Sequence, residues 1–305
     1  RFHKNTKLGV FKTGCRPDYL KQDPLGATSR VVGDEFILDL LSNDATIVDD
    51  NLAEQFQREA LRKTNTLRER SRSLANQRAW EDLPLAADRL IDLLSADPRA
   101  YGENSLTLWS LSVSLASFLG QSRTARNDKS AICSPLEPEV ERALSDVIVT
   151  VAPFVRMYDT ARSFDDQLID FQSDPPALEA AHMIAHRSGE RSVLRRSDAQ
   201  VVSIALGRES QHDAQSRKAH GFGYKTVLNH VGSLFLFLWG GGLRKLGERV
   251  ADKVVQNTDL ADRAANLLIE RQDEVREIYS AAPDDLREAA NGLLEMTKEK
   301  FKKQR

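Results

Sequence analysis

Apolar positions in this chain recur at helical spacing almost from end to end. Between Asp49 and about Gln77, Ala53, Ala60, Leu67 and Leu74 fall every seven residues with Leu52 and Phe56 beside them, which predicts a long helix with a narrow seam. Asp49 and Asp50 stand where a carboxylate accepts the orphan N–H groups of a first turn. Ahead of it, Gly33 and Asp34 are expected to open a short amphipathic helix, EFILDLLSND, with Phe36, Ile37, Leu40 and Leu41 on one side. Leu85–Leu94, between Pro84 and Pro98, is another short helix. The serine-rich run Ser105–Gly120 carries Leu108, Leu111, Leu115, Phe118 and Leu119 on one face, and is expected as a buried helix.

From Glu137 the pattern predicts one long helix, or two in series, with Pro153 as the kink, because a mid-helix proline removes a hydrogen bond and collides with the turn before it. Asp174-Pro175-Pro176 is the clearest break in the chain. After it come the helix ALEAAHMIAHRSG, the short apolar piece AQVVSIALG, and the polar stretch Arg208–Gly223, expected as an exposed loop or weakly held helix.

The most apolar run follows, VGSLFLFLWGGGL, at Val231–Leu243. Its helical face continues through Leu246, Val250 and Val254, so it is expected as a central core helix with a weak point at Gly240-Gly241-Gly242, since each glycine costs about 1 kcal/mol relative to alanine. Thr258 starts a last amphipathic helix with Leu260, Ala264, Leu267, Leu268, Val275 and Ile278 inward. Pro283 starts its partner, with Leu286, Ala290, Leu293, Leu294 and Phe301 inward, and the short connection predicts an antiparallel hairpin.

The fold expected is therefore all-α: a multi-helix, bundle-like assembly around a central apolar helix at about 226–256, closed by a C-terminal helical hairpin. Its organisation is a basic irregular arm at 1–30, an N-terminal helical subdomain at 31–174 and a C-terminal one at 175–305. The chain opens on Arg1 rather than a methionine, so a processed chain or a piece of a longer one is expected.

Composition narrows the partners. The 43 Lys and Arg nearly balance the 45 Asp and Glu, so any nucleic-acid or membrane contact must be local rather than a global field. Cys15 and Cys133 show no metal or redox spacing, which points to a reducing, intracellular and cytoplasmic setting, with a membrane-peripheral one as the alternative. Local basic clusters exist on the long helix, where Arg62, Arg68, Arg70 and Arg72 lie among seven cations, and at Arg191, Arg195 and Arg196. Because the helix cations spread around most of the cylinder, they differ from the single stripe of a groove-reading helix.

The apolar run, with Phe235, Phe237 and the edge residue Trp239, is a membrane segment or a core helix. Its uncharged window, Thr226–Leu243, reaches about 27 Å at roughly 1.5 Å per residue, against a hydrocarbon core of roughly 30 Å, and it contains Asn229 and His230. Core is the expectation.

Signatures of chemistry are scarce. There is no phosphate loop, complete GxGxxG, GxSxG elbow, HExxH or CxxC. Glu179, His182 and His186 share a helix face by three- and four-residue spacing, and Glu209 with His212 forms a second Glu-x-x-His, the pattern of di-iron carboxylate bundles. Asp159, Asp165, Asp166, Asp170 and Asp174 form an acidic set near the central break, expected as a solvated face. No cofactor is expected. The function expected is that of a non-enzymatic helical interaction or regulatory protein, whose partner is another protein or a second copy of itself. Membrane association through Val231–Leu243, nucleic-acid binding through Arg58–Arg78 and Arg187–Arg196, and a metal-dependent enzyme are the alternatives.

Overall fold

The computed structural model describes residues 23–40, 50–77, 79–127, 133–172, 174–207, 214–239 and 258–302. Among these the chain is all-α in class, with eleven α-helices and one two-stranded hairpin. The hairpin replaces the first helix expected from the sequence. Strands β1 (Thr28–Val32) and β2 (Glu35–Asp39) pair antiparallel from Thr28↔Asp39 to Val32↔Glu35. Gly33 and Asp34 form the two-residue turn, with Gly33 at φ +64°, a turn whose twist suits paired strands. Phe36, Leu38 and Leu40 are buried, so the period of two overrode the helical face Phe36-Ile37-Leu40-Leu41. The hairpin takes in Thr28–Arg30, which the sequence assigns to the basic arm; residues 1–22 lie outside the described residues.

Helix α1 (Asp50–Ser71) buries its seam as predicted and continues as a 3₁₀ turn over Arg72–Asn76. Next come α2 (Asp82–Leu94), α3 (Ser105–Asn127), α4 (Pro138–Val155) and α5 (Asp159–Gln167). Lys63 on α1 donates to Thr150 Oγ1 on α4 at 2.8 Å, and Arg70 to the Glu139 carbonyl at 3.0 Å, so the two helices run antiparallel. Phe56 stacks on Phe154 between them. Pro153 lies inside the last turn of α4, and the chain re-enters helix at Asp159, which gives two helices in series.

Beyond the proline pair at Pro175 and Pro176 are α6 (Pro175–Glu190), α7 (Arg196–Leu206) and α8 (Ala214–Trp239), then α9 (Thr258–Glu270), α10 (Gln272–Ile278) and α11 (Asp284–Lys302). The single helix expected over 258–278 is broken at Arg271, where the backbone leaves the helical region at φ −108°, ψ 29°. Both pieces still turn their apolar residues inward, and α11 packs back along them.

Helix α8 is the centre. It packs against α3, α6, α7, β1 and α9, and Phe222, Val231, Leu234 and Phe235 are buried on different sides of it. One hydrophobic cluster takes in residues on both sides of Asp174, including Leu108, Val147, Phe222 and Val231. The apolar aromatic run is thus core, while Gly240-Gly241-Gly242 and the rest of 240–257 lie outside the described residues. Residues 214–223, expected to be exposed or weakly held, form the buried first half of α8. The physical reason is close packing: a Cβ on Gly221 would sit 2.8 Å from the Phe171 ring, and one on Gly223 would sit 2.8 Å from Leu206 Cγ. Neighbouring elements press on the helix where side chains are missing.

A paired substitution separates packing from helix propensity. Gly232, also in α8, has nothing within 4 Å of an added Cβ. Gly232→Ala is therefore expected to stabilise the fold by up to about 1 kcal/mol, whereas Gly221→Ala destabilises it by roughly 1–3 kcal/mol through overpacking, both measured by urea unfolding. Equal shifts of the same sign in the two variants would contradict this packing.

Candidate functional site

A helix buried over most of its surface, as α8 is apart from one half-exposed stripe, must find partners for the polar side chains it buries, because an unpaired buried polar group costs about 1–3 kcal/mol. Two polar constellations on α8 result. The first is at its amino-terminal half. Lys218, whose side chain is only 6% exposed, lies 3.0 Å from Asp165 Oδ1 on α5. Trp109 Nε1 on α3 donates to the same oxygen at 3.1 Å, and Arg156 Nε donates to Oδ2 at 3.0 Å. Burial alone would raise the Asp165 pKa, but the hydrogen bonds from Lys218 and Trp109 and the charges of Lys218 and Arg156 hold it below the usual carboxylate value. The carboxylate is ionised, and both its oxygens are taken. Phe164 and Phe222 pack edge-on around the Trp109 ring, completing an apolar wall.

The second constellation is about two to three turns further on. Asn229 is buried, and its Nδ2 donates to the carbonyls of Asp23 (2.9 Å) and Gly26 (3.0 Å), while its Oδ1 accepts from the Asp23 amide at 2.7 Å. Thr226 Oγ1 accepts from the Ala27 amide, Lys225 pairs with the Asp23 carboxylate at 2.5 Å, and His230 Nδ1 lies 3.1 Å from Ser29 Oγ. His230 is fully buried against Phe36, and its Nε2 has no hydrogen-bond partner among the described residues. Burial lowers its pKa to about 4, so the ring is neutral at physiological pH.

These residues were marked only in part by the sequence. Asp165 stands in the acidic set near the break, but it alone turns inward; Asp166, Asp170 and Asp174 are exposed, and Asp159 pairs with Arg162. Asn229 and His230 were visible as polar interruptions of an apolar window. The signal that would have found the second constellation is spacing: Lys225 and Asn229, and Thr226 and His230, are four apart on adjoining lines of one helix.

The candidate basic residues are mostly committed within the chain. Arg62 and Lys63 both pair with Glu59, whose pKa their hydrogen bonds lower to about 2. Arg68 reaches Asp88 at 3.9 Å, Arg70 holds the Glu139 carbonyl, Arg191 pairs with Glu270 and Arg195 with Asp198. Arg72 and Arg196 are exposed. Phe235 and Phe237 are buried, and Trp239 is part-buried, donating to Thr297 at 3.2 Å beneath the Lys300 ammonium. No helix among the described residues is long and apolar enough to cross a membrane.

Of the metal candidates, His182 is buried whereas Glu179 and His186 are exposed, the two rings standing 6.5 Å apart. Glu209 and His212 lie outside the described residues. Among the described residues no group of three or more His, Cys, Asp or Glu is placed to hold a metal ion. Comparison with protein-family models, with curated proteins and with solved structures returns no match.

The ion site has a measurable consequence. Asp165→Asn strands the buried Lys218 ammonium and is expected to cost about 3–5 kcal/mol, while Asp165→Asn combined with Lys218→Met costs less than the single change, since the uncompensated charge is gone. Urea unfolding of both variants checks this; a double variant less stable than Asp165→Asn would contradict it.

Proposed function

We propose that the chain is a non-enzymatic helical interaction protein that binds another protein chain through the outer face of α4. The observation carrying this reading is Val149, a β-branched apolar residue 68% exposed in mid-helix. Pro153 and Met157 follow it at four-residue steps and are also exposed, and Leu52 is exposed at the end of α1 that pairs with this end of α4. Pro153 has no N–H to offer the Val149 carbonyl, so the stripe presents apolar side chains beside an acceptor that lacks its helical donor. Contiguous exposed apolar surface of this kind, unlike scattered single residues, marks contact sites.

The rim decides the kind of partner. Arg142 and Arg156 stand seven residues either side of Val149, and on the paired helix α1 Lys63 reaches Thr150 with Arg62 close by, against the carboxylates of Glu59 and Asp146. Such a rim favours an amphipathic helix with apolar residues at i, i+4 and i+7 and acidic flanks. A reducing intracellular setting, supported by the spacing of the cysteines, completes the reading. Nucleic-acid binding ranks below it because the exposed apolar stripe calls for an apolar partner surface, which a phosphate backbone does not offer.

A photo-crosslinking residue placed at Val149 in cells tests the proposal. A discrete protein adduct is expected there, absent when the crosslinker stands at Arg196 and reduced about tenfold by Met157→Glu, the loss of one well-packed contact of roughly 1.4 kcal/mol. Adducts no stronger than at Arg196, or ones removed by nuclease, would overturn it.

A further inference from the structure

The hairpin at 23–40 is held on α8 in an unusual way, by side chains of the helix reading the backbone of the segment. Asn229 alone satisfies the amide of Asp23 and the carbonyls of Asp23 and Gly26, Thr226 takes the Ala27 amide, and Lys225 takes the Asp23 carboxylate. Backbone groups are common to every sequence, so the Asn229 and Thr226 contacts specify the backbone turn over residues 23–26, which the Gly26 amide closes on the Asp23 carbonyl at 3.2 Å, rather than particular side chains. Identity is required at Asp23, whose carboxylate Lys225 takes, and at Gly26. A Cβ on Gly26 would lie 2.5 Å from the Lys225 carbonyl carbon and 2.6 Å from the Thr226 nitrogen, both backbone atoms that cannot step aside.

The far end of the segment docks by strand-like bonds. Phe36 N donates to the Val193 carbonyl at 2.8 Å, Arg195 N donates to the Phe36 carbonyl at 2.7 Å, and Leu38 N donates to Asp198 Oδ2 at 2.8 Å. The Phe36 ring fills an apolar slot against Phe237 and His230. Strand addition to an exposed backbone edge, with a pocket for one side chain, is a recurrent way of binding an extended peptide.

We propose that the α8 face bearing Lys225, Thr226, Asn229 and His230, together with the α6–α7 turn, is a binding site for a glycine-bearing turn and the β-hairpin that follows it, and that residues 23–40 are its separable resident ligand. The hairpin is a latch: it contributes Phe36 and Leu38 to the core, yet its polar contacts are those of a bound peptide and would serve the hairpin of a second copy equally. This inference does not depend on the α4 stripe.

Exchange tests it. A protease site is placed between Leu41 and Asp49 of the full chain, the chain is nicked, and a fluorescent synthetic peptide of residues 23–40 is added. The nicked chain is expected to stay helical by circular dichroism, to take up the peptide as a rise in anisotropy, and to release it to unlabelled peptide. A peptide with Gly26→Val should compete at least about tenfold more weakly, and Asn229→Asp in the nicked chain should weaken uptake by about tenfold or more, because a carboxylate oxygen then faces two carbonyls. Loss of helix on nicking, no uptake of peptide by a folded nicked chain, or equal competition by the Gly26→Val peptide would each overturn the proposal.

Discussion

Helix α8 is buried over all but one half-exposed stripe, and that constraint propagates through the rest of the chain. A wholly apolar helix of 26 residues in a helical bundle would be simple, but this one carries Lys218, Asn229 and His230 in its buried length. Each such group must be satisfied from another element. The ion site therefore draws in α3 and α5, and the amide of Asn229 draws in the segment at Asp23. Surrounding elements are positioned by hydrogen-bonding need as much as by apolar contact.

Close approach and polar pairing work together along this helix. At two of its three glycines other elements come near: Phe171 at Gly221 and Leu206 at Gly223. Where the hairpin has glycine, at Gly26, it comes near to α8. The covering layer is tied in turn by a single guanidinium: Arg263 on α9 donates to the carbonyls of Ser192 in the α6–α7 turn and Asp34 in the hairpin turn. Ser192 adopts φ +51°, a conformation costly for a residue with a side chain. Its carbonyl, fixed there, is what Arg263 holds. At the other end of α8, Lys300 on α11 donates to the Leu238 carbonyl, placing a cation where the helix dipole favours one.

Helical periodicity carried most of the class, because α1, α2 and the C-terminal hairpin have one buried face each and such faces repeat at 3.6 residues. It failed in two places for different reasons. At 35–39 the strand is only five residues long, so its period of two does not stand out in the sequence, and the deciding information is the Gly33-Asp34 turn. At 214–223 the residues Ser216, Lys218 and His220 look solvent-seeking, and nothing local shows that Asp165, more than fifty residues earlier, neutralises one of them. Long-range pairing of buried polar groups leaves little trace in local pattern. The same holds for the candidate sites: Val149 counts as apolar in any pattern, and only the packed structure leaves it outside the core.

The organising role of α8 is most directly tested by native-state hydrogen exchange followed by mass spectrometry. Amides in the most buried helix should exchange only through global unfolding, so peptides covering 218–239 are expected to show the highest protection in the chain, with opening free energies equal to that from denaturant unfolding. If those peptides exchange faster than the peptides of α1 and α4, α8 is not the element on which the fold depends.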